Sequence, residues 1–95
     1  MIEKLIREYV DRMTLQDVES FATSHGVVLN EEEKNLIFKE IKMHWHTIVY
    51  GNPRGILDNL KKQFEPLTYQ KIENLYVYFK QKFNHYTYFL IFHTN

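Results

Sequence analysis

Apolar residues recur three and four positions apart along most of this chain, and residues that interrupt such a rhythm are scarce. Three glycines and two prolines in 95 residues leave few sites for tight turns, whereas a many-stranded sheet needs one every few residues. Amphipathic helices are what this pattern permits. The sequence therefore predicts an all-α fold, a compact single-core bundle of about five helices forming one domain over residues 1–95. A chain of this size buries a little over roughly 60% of the surface exposed by its unfolded form, enough for one modest core.

The first helix carries Ile2, Leu5, Ile6, Tyr9, Val10 and Met13 on its inner face. Thr14 and Asp17 have the spacing of a capping box, opening a second helix with Leu15, Val18, Phe21 and Ala22 inward and Gly26 at its end. Val27-Val28-Leu29 reads as an extended connector. Asn30 followed by Glu31, Glu32 and Glu33 is the strongest local signal: a cap, then three carboxylates in a solvated first turn beside the positive helix end. The third helix points Leu36, Ile37, Ile41, Trp45 and Ile48 inward and stops at Gly51. Asn52 and Pro53 read as cap and first residue of the fourth helix, which buries Ile56, Leu57, Leu60 and Phe64 and is broken by Pro66. Thr68 reads as the cap of the fifth, with Ile72, Leu75, Tyr76, Phe79 and Phe83 inward. Trp45, Phe21, Phe64, Ile72 and Phe79 are expected to be buried together. Within residues 84–95, Tyr86, Tyr88, Phe89, Leu90, Ile91 and Phe92 are β-formers by propensity. No partner strand is visible for them, so they are predicted to continue the helix or to pack as an arm.

Several chemistries are excluded or unsupported. Without cysteine there are no disulfides, thiolate metal sites or thiol nucleophiles. The first residues lack the apolar core of a signal peptide, and Tyr86–Phe92 is too short to cross a bilayer, so a cytoplasmic protein is expected without a membrane partner. His44 and His46 are two apart on a helix and face different ways. Glu40 and His44 share a face, but a zinc site needs three or four ligands. Gly51-Asn52-Pro53-Arg54-Gly55 lacks the Lys-Ser/Thr ending of a phosphate loop. No catalytic residues, cofactor, metal or small-molecule substrate is nominated, and an enzyme is not expected.

Two features point to partners. Aromatic residues make up 16% of the chain and concentrate toward its C-terminus. Contiguous apolar surface marks interfaces, so the leading expectation is a non-enzymatic interaction or structural module. It binds a protein partner or a second copy of itself through Tyr86, Tyr88, Phe89, Leu90 and Phe92. The alternative is weak nucleic-acid binding through Lys61, Lys62, Lys71, Tyr78 and Lys82, with bases interleaved around an aromatic. On this reading Lys71, Asn74, Tyr78 and Lys82 lie opposite the core stripe. Charge is polarised along the chain: residues 1–33 hold eight acids against three bases, and residues 34–95 nine bases against four acids. The two halves are expected to offset each other by folding together.

The order Met13-Thr14-Leu15-Gln16-Asp17-Val18, Phe21-Ala22, His25-Gly26-Val27, then Asn52, Pro66, Thr68 and Leu75 through Phe79 resembles a family of short helical proteins of Bacillus-type bacteria, the DUF2624-like domain of unknown function. The resemblance covers roughly residues 3–83. It implies a bacterial cytosolic all-α protein and carries over no active-site residues.

Overall fold

Local hydrogen bonds set most of the helix starts. In this computed structural model, which describes the backbone of residues 2–93 and the side chains of residues 3–83, helix α1 spans Ile2–Arg12 and α2 spans Leu15–Ser24. The Thr14 hydroxyl accepts from the Asp17 amide at 3.2 Å, and the Thr14 amide donates to the Asp17 carboxylate at 2.9 Å. Both arms of the capping box are thus closed. Replacing Thr14 with Ala should cost about 1 kcal/mol and lower the melting temperature by about 4–8 °C in a thermal scan. Gly26 takes the left-handed conformation, φ 75°, that reverses the chain after α2. Val27 and Leu29 then pin the connector to the core, while Val28 between them is 81% exposed.

Helix α3 spans Glu31–Tyr50, α4 Arg54–Gln63 and α5 Pro66–His93. Two starts differ from the sequence reading. Pro53 is the cap of α4 rather than its first residue, and the Asn52 carboxamide accepts from the Arg54 amide at 3.0 Å. Pro66 opens α5 instead of merely ending α4, because the amide that proline lacks would have no helical partner in the first turn. Thr68 therefore sits inside α5, and its hydroxyl donates to Glu33 Oε2 at 3.0 Å.

The tail conformation follows from continuity. No breaker separates Pro66 from His93, and α5 runs unbroken over those 28 residues. Chain propagation has overridden β-propensity, since adding a residue to a formed helix needs no new nucleus. How the side chains of Tyr86, Tyr88, Phe89, Leu90 and Phe92 pack lies outside the described residues.

Cross-helix contacts define the topology. Glu33 meets Thr68 and Lys71, and Glu40 meets Tyr76, so α3 and α5 run parallel, with α4 as the crossover. Lys42 donates to the Asp11 carbonyl and His46 lies near Glu3, so α1 runs antiparallel to both. Helix α2 closes the bundle where Phe21 meets Phe79 edge-on. Ile6, Val10, Val18, Ile37, Ile41, Ile48, Ile72 and Leu75 are fully buried at the centre. Phe79 is buried with them, while Phe21, Trp45 and Phe64 are only partly buried at the core edge. On α1, Leu5 and Tyr9 are exposed and Ile6 and Val10 are buried, with Met13 buried just beyond the helix end. The inner stripe of α1 is narrower than its apolar content.

The polarised charges do meet within the chain. Lys34 bridges Glu19 and Glu31, and Lys71 bridges Glu33. The Glu31–Glu33 run is not uniformly solvated: Glu33 is 6% exposed.

Candidate functional site

Three regions carry the residues singled out in the sequence, beginning with the C-terminal part of α5. At 1.5 Å per residue α5 spans about 42 Å and α3 about 30 Å, against a longest molecular dimension of 46 Å. Because the two helices start level and run parallel, the last two turns of α5 pass beyond the end of α3. Helical register divides the aromatic residues there. Tyr86 and Leu90 follow Phe79 and Phe83 at the i, i+4, i+7, i+11 positions of the buried row. Tyr88 and Phe92 fall instead on the row of Val77, which is 48% exposed on the outer side. Phe89 and Ile91 lie between the rows. By sequence, apolar and aromatic residues outnumber Asn84, His85, Thr87 and His93 over residues 84–93.

The lysine and tyrosine set does not form one face. Lys61 and Lys62 are exposed on α4, with Lys61 beside the Tyr69 ring. Lys71 donates to Glu33 Oε1 at 3.0 Å and Oε2 at 3.3 Å. Tyr78 stacks on His25 with centroids 4.1 Å apart and planes 10° apart. Lys82 donates to the Tyr9 hydroxyl at 3.3 Å and sits over the Tyr9 ring at 4.9 Å. At 100° per residue, Lys71, Tyr78 and Lys82 lie beside the core stripe rather than opposite it, where α2 and α3 reach them.

What survives of that set is a hollow of about 430 Å³ between α2 and α5, lined by Phe21, Ser24, His25, Tyr78, Gln81 and Lys82. Phe21 and His25 meet in a T-shaped arrangement with centroids 4.8 Å apart, and the Lys82 ammonium lies 5.8 Å from the Phe21 ring. His25 was missed in the sequence. Its spacing of four from Phe21, at the end of α2, was the available signal.

A larger open groove of about 620 Å³ separates α3 from α4, with Leu36, Ile56 and Leu60 as apolar lining and Glu40, His44 and Asn59 as polar groups. Glu40 Oε2 accepts from the Tyr76 hydroxyl at 3.2 Å and lies 3.6 Å from His44 Nε2. Burial, reinforced by the Glu40 charge, raises the Tyr76 phenol far above its usual range, so it stays a donor. His46 lies 3.4 Å from Glu3 on α1, so the two histidines do diverge. Among the described residues no three His, Asp or Glu side chains converge on a common point, and no helix is long and apolar enough to cross a membrane.

Glu33 is the most constrained carboxylate. Burial pushes its pKa up, but the Asn30 amide at 3.0 Å, Lys71 and the Thr68 hydroxyl together outweigh burial and hold it below the usual value. These contacts tie the start of α3 to the start of α5. They make a structural clamp, with each carboxylate oxygen already occupied.

No protein-family model, curated protein or solved structure matches the chain.

Proposed function

We propose that this chain is a non-enzymatic, cytoplasmic protein-interaction module that associates with a second copy of itself through the end of α5, within the small helical family it resembles. The observation that supports this reading is the register of α5. Only Tyr86 and Leu90 continue the buried row, so Tyr88, Phe89 and Phe92 require cover that the same row cannot give. Such an apolar helix end in water is an aggregation hazard unless a partner occupies it.

Charge favours a second copy as that partner. Beyond Glu73 the chain holds Lys80 and Lys82 and no acid. On α1, the carboxylates of Glu8 and Asp11 make no ion pair among the described residues. Lys80 of one α5 can thus pair with Glu8 or Asp11 on another molecule's α1, a helix whose three acids and three bases otherwise balance. Sedimentation equilibrium of the full chain and of a version ending at Phe83 tests the reading. The full chain is expected to form dimers at micromolar concentration and the shortened chain to remain monomeric. A full chain that is monomeric at high concentration would overturn it.

A further inference from the structure

The hollow between α2 and α5 brings together an aromatic pair, a carboxamide and a cation. His25 and Tyr78 form a near-parallel ring stack at 4.1 Å. Gln81, on the next turn of α5, brings an exposed carboxamide that makes no side-chain hydrogen bond among the described residues. Lys82 brings a cation whose contacts are the Tyr9 hydroxyl and the Tyr9 and Phe21 ring faces, with no carboxylate among the described residues.

We propose that this hollow binds a nucleotide unit, one base together with its phosphate. A planar base gains from an aromatic platform irrespective of its identity. A carboxamide offers both a donor and an acceptor to a base edge. An ammonium unpaired by any carboxylate is free to take a phosphate. The local charge allows this despite the acidic first third of the chain. After Glu19, α2 has no acid, and α5 has none after Glu73. Glu19 itself is paired with Lys34 at 3.1 Å. The volume of about 430 Å³ falls within the range of small-ligand sites, about 300–1,000 Å³.

The rest of the surface limits the site to one unit. Lys71 is bound to Glu33, and Lys61 and Lys62 stand on α4, so no continuous basic track leads away from the hollow among the described residues. The α3–α4 groove is larger, but it sets Glu40 beside Lys39 and holds no stacked ring pair among the described residues. The proposal is distinguishable from self-association, because the aromatic residues of that contact lie beyond Phe83 and those of the hollow precede it, with Lys82 alone common to both.

Adenosine 5′-monophosphate, adenosine and a short single-stranded oligodeoxyadenylate are the probes, titrated into the full chain at low salt and followed by calorimetry and by the NMR signals of the His25 and Tyr78 rings. The monophosphate is expected to shift both rings. His25→Ala should weaken it at least tenfold. Lys82→Gln should weaken the monophosphate severalfold while leaving adenosine nearly unchanged, which assigns the lysine to the phosphate. A strand that binds in proportion to its number of nucleotides identifies the free nucleotide as the sufficient ligand. A strand that binds more tightly than that proportion identifies a polynucleotide end as the source. Should His25→Ala fail to fold, Lys82→Gln and Gln81→Ala, both at exposed positions, carry the test. Unshifted rings at millimolar nucleotide, or affinities unchanged in every variant, would overturn the proposal.

Discussion

Replacing Glu33 with Ala is expected to lower the stability of the fold by about 2–3 kcal/mol, and the melting temperature by roughly 10–20 °C for a chain of this size. The substitution removes three contacts at once. The Asn30 amide loses the partner that closes its capping box, Thr68 loses the acceptor of its hydroxyl, and Lys71 loses its counter-ion. Truncating one partner of a shielded pair is costly because the other is left uncompensated. Lys71 keeps partial access to water, with a side chain 36% exposed, which holds the figure below that for a fully buried pair. Glu32→Ala, on a neighbouring exposed position, should change stability by less than about 0.5 kcal/mol. Thermal or urea denaturation of the two variants side by side separates a clamp from simple helix-end electrostatics. Equal losses in both would refute the clamp.

The same carboxylate predicts a pH dependence. Its folded pKa lies below the ordinary value of 4.5. The stabilisation it provides is therefore fully present above that unfolded value and is lost as pH falls through the lower folded one. Between neutral pH and pH 3 the native chain should lose more stability than Glu33→Ala, so that the gap between their melting temperatures narrows in acid. A gap that stays constant would place the Glu33 contribution in packing alone.

Which features could be read from the sequence depended on how far apart the interacting residues are. The caps at Thr14 and Asn30 join residues three apart, so residue identity and spacing specify them almost completely. The inner row of α5 from Ile72 to Phe83 was legible for the same reason, because helical periodicity is a local property. The burial of Glu33 was not, since it depends on Thr68 and Lys71, which lie 35 and 38 positions away. Without them Asn30 and three glutamates describe an ordinary solvated first turn. For the lysine and tyrosine set, the structure corrects the placement opposite the core stripe. Lys71, Tyr78 and Lys82 share a row, but nothing local says that α2 and α3 will cover its flank and draw Lys71 to Glu33 and Tyr78 to His25. The conformation of the tail was ambiguous because propensity and continuity disagreed. Propensity favours strand for Tyr86, Tyr88 and Phe92, whereas a helix already formed back to Pro66 favours extension. The hollow between α2 and α5 needs both helices in place and has no linear signature beyond Phe21 and His25 four apart.

Register also separates two outcomes within the tail. Changing Phe89 and Phe92 together to Ser should leave the melting temperature nearly independent of protein concentration, because both lie off the row of Phe79 and Phe83. Changing Tyr86 and Leu90 together to Ser should instead lower the melting temperature at every concentration, because these two continue the row that buries Phe79 and Phe83. The size of the first effect follows from linkage. Above the dissociation constant a tenfold rise in concentration stabilises a dimer by about 1.4 kcal/mol, shared between two chains. At about 4–8 °C per kcal/mol, that is about 3–6 °C for each tenfold step. The native chain should show this slope in scans spanning two orders of magnitude in concentration, and the Phe89 and Phe92 variant should be flat. The opposite assignment, with the slope abolished by the Tyr86 and Leu90 changes alone, would mean that the row of Phe79 and Phe83 is what a second molecule covers and that the outer row of Val77 stays in water. A slope absent from the native chain would remove self-association altogether.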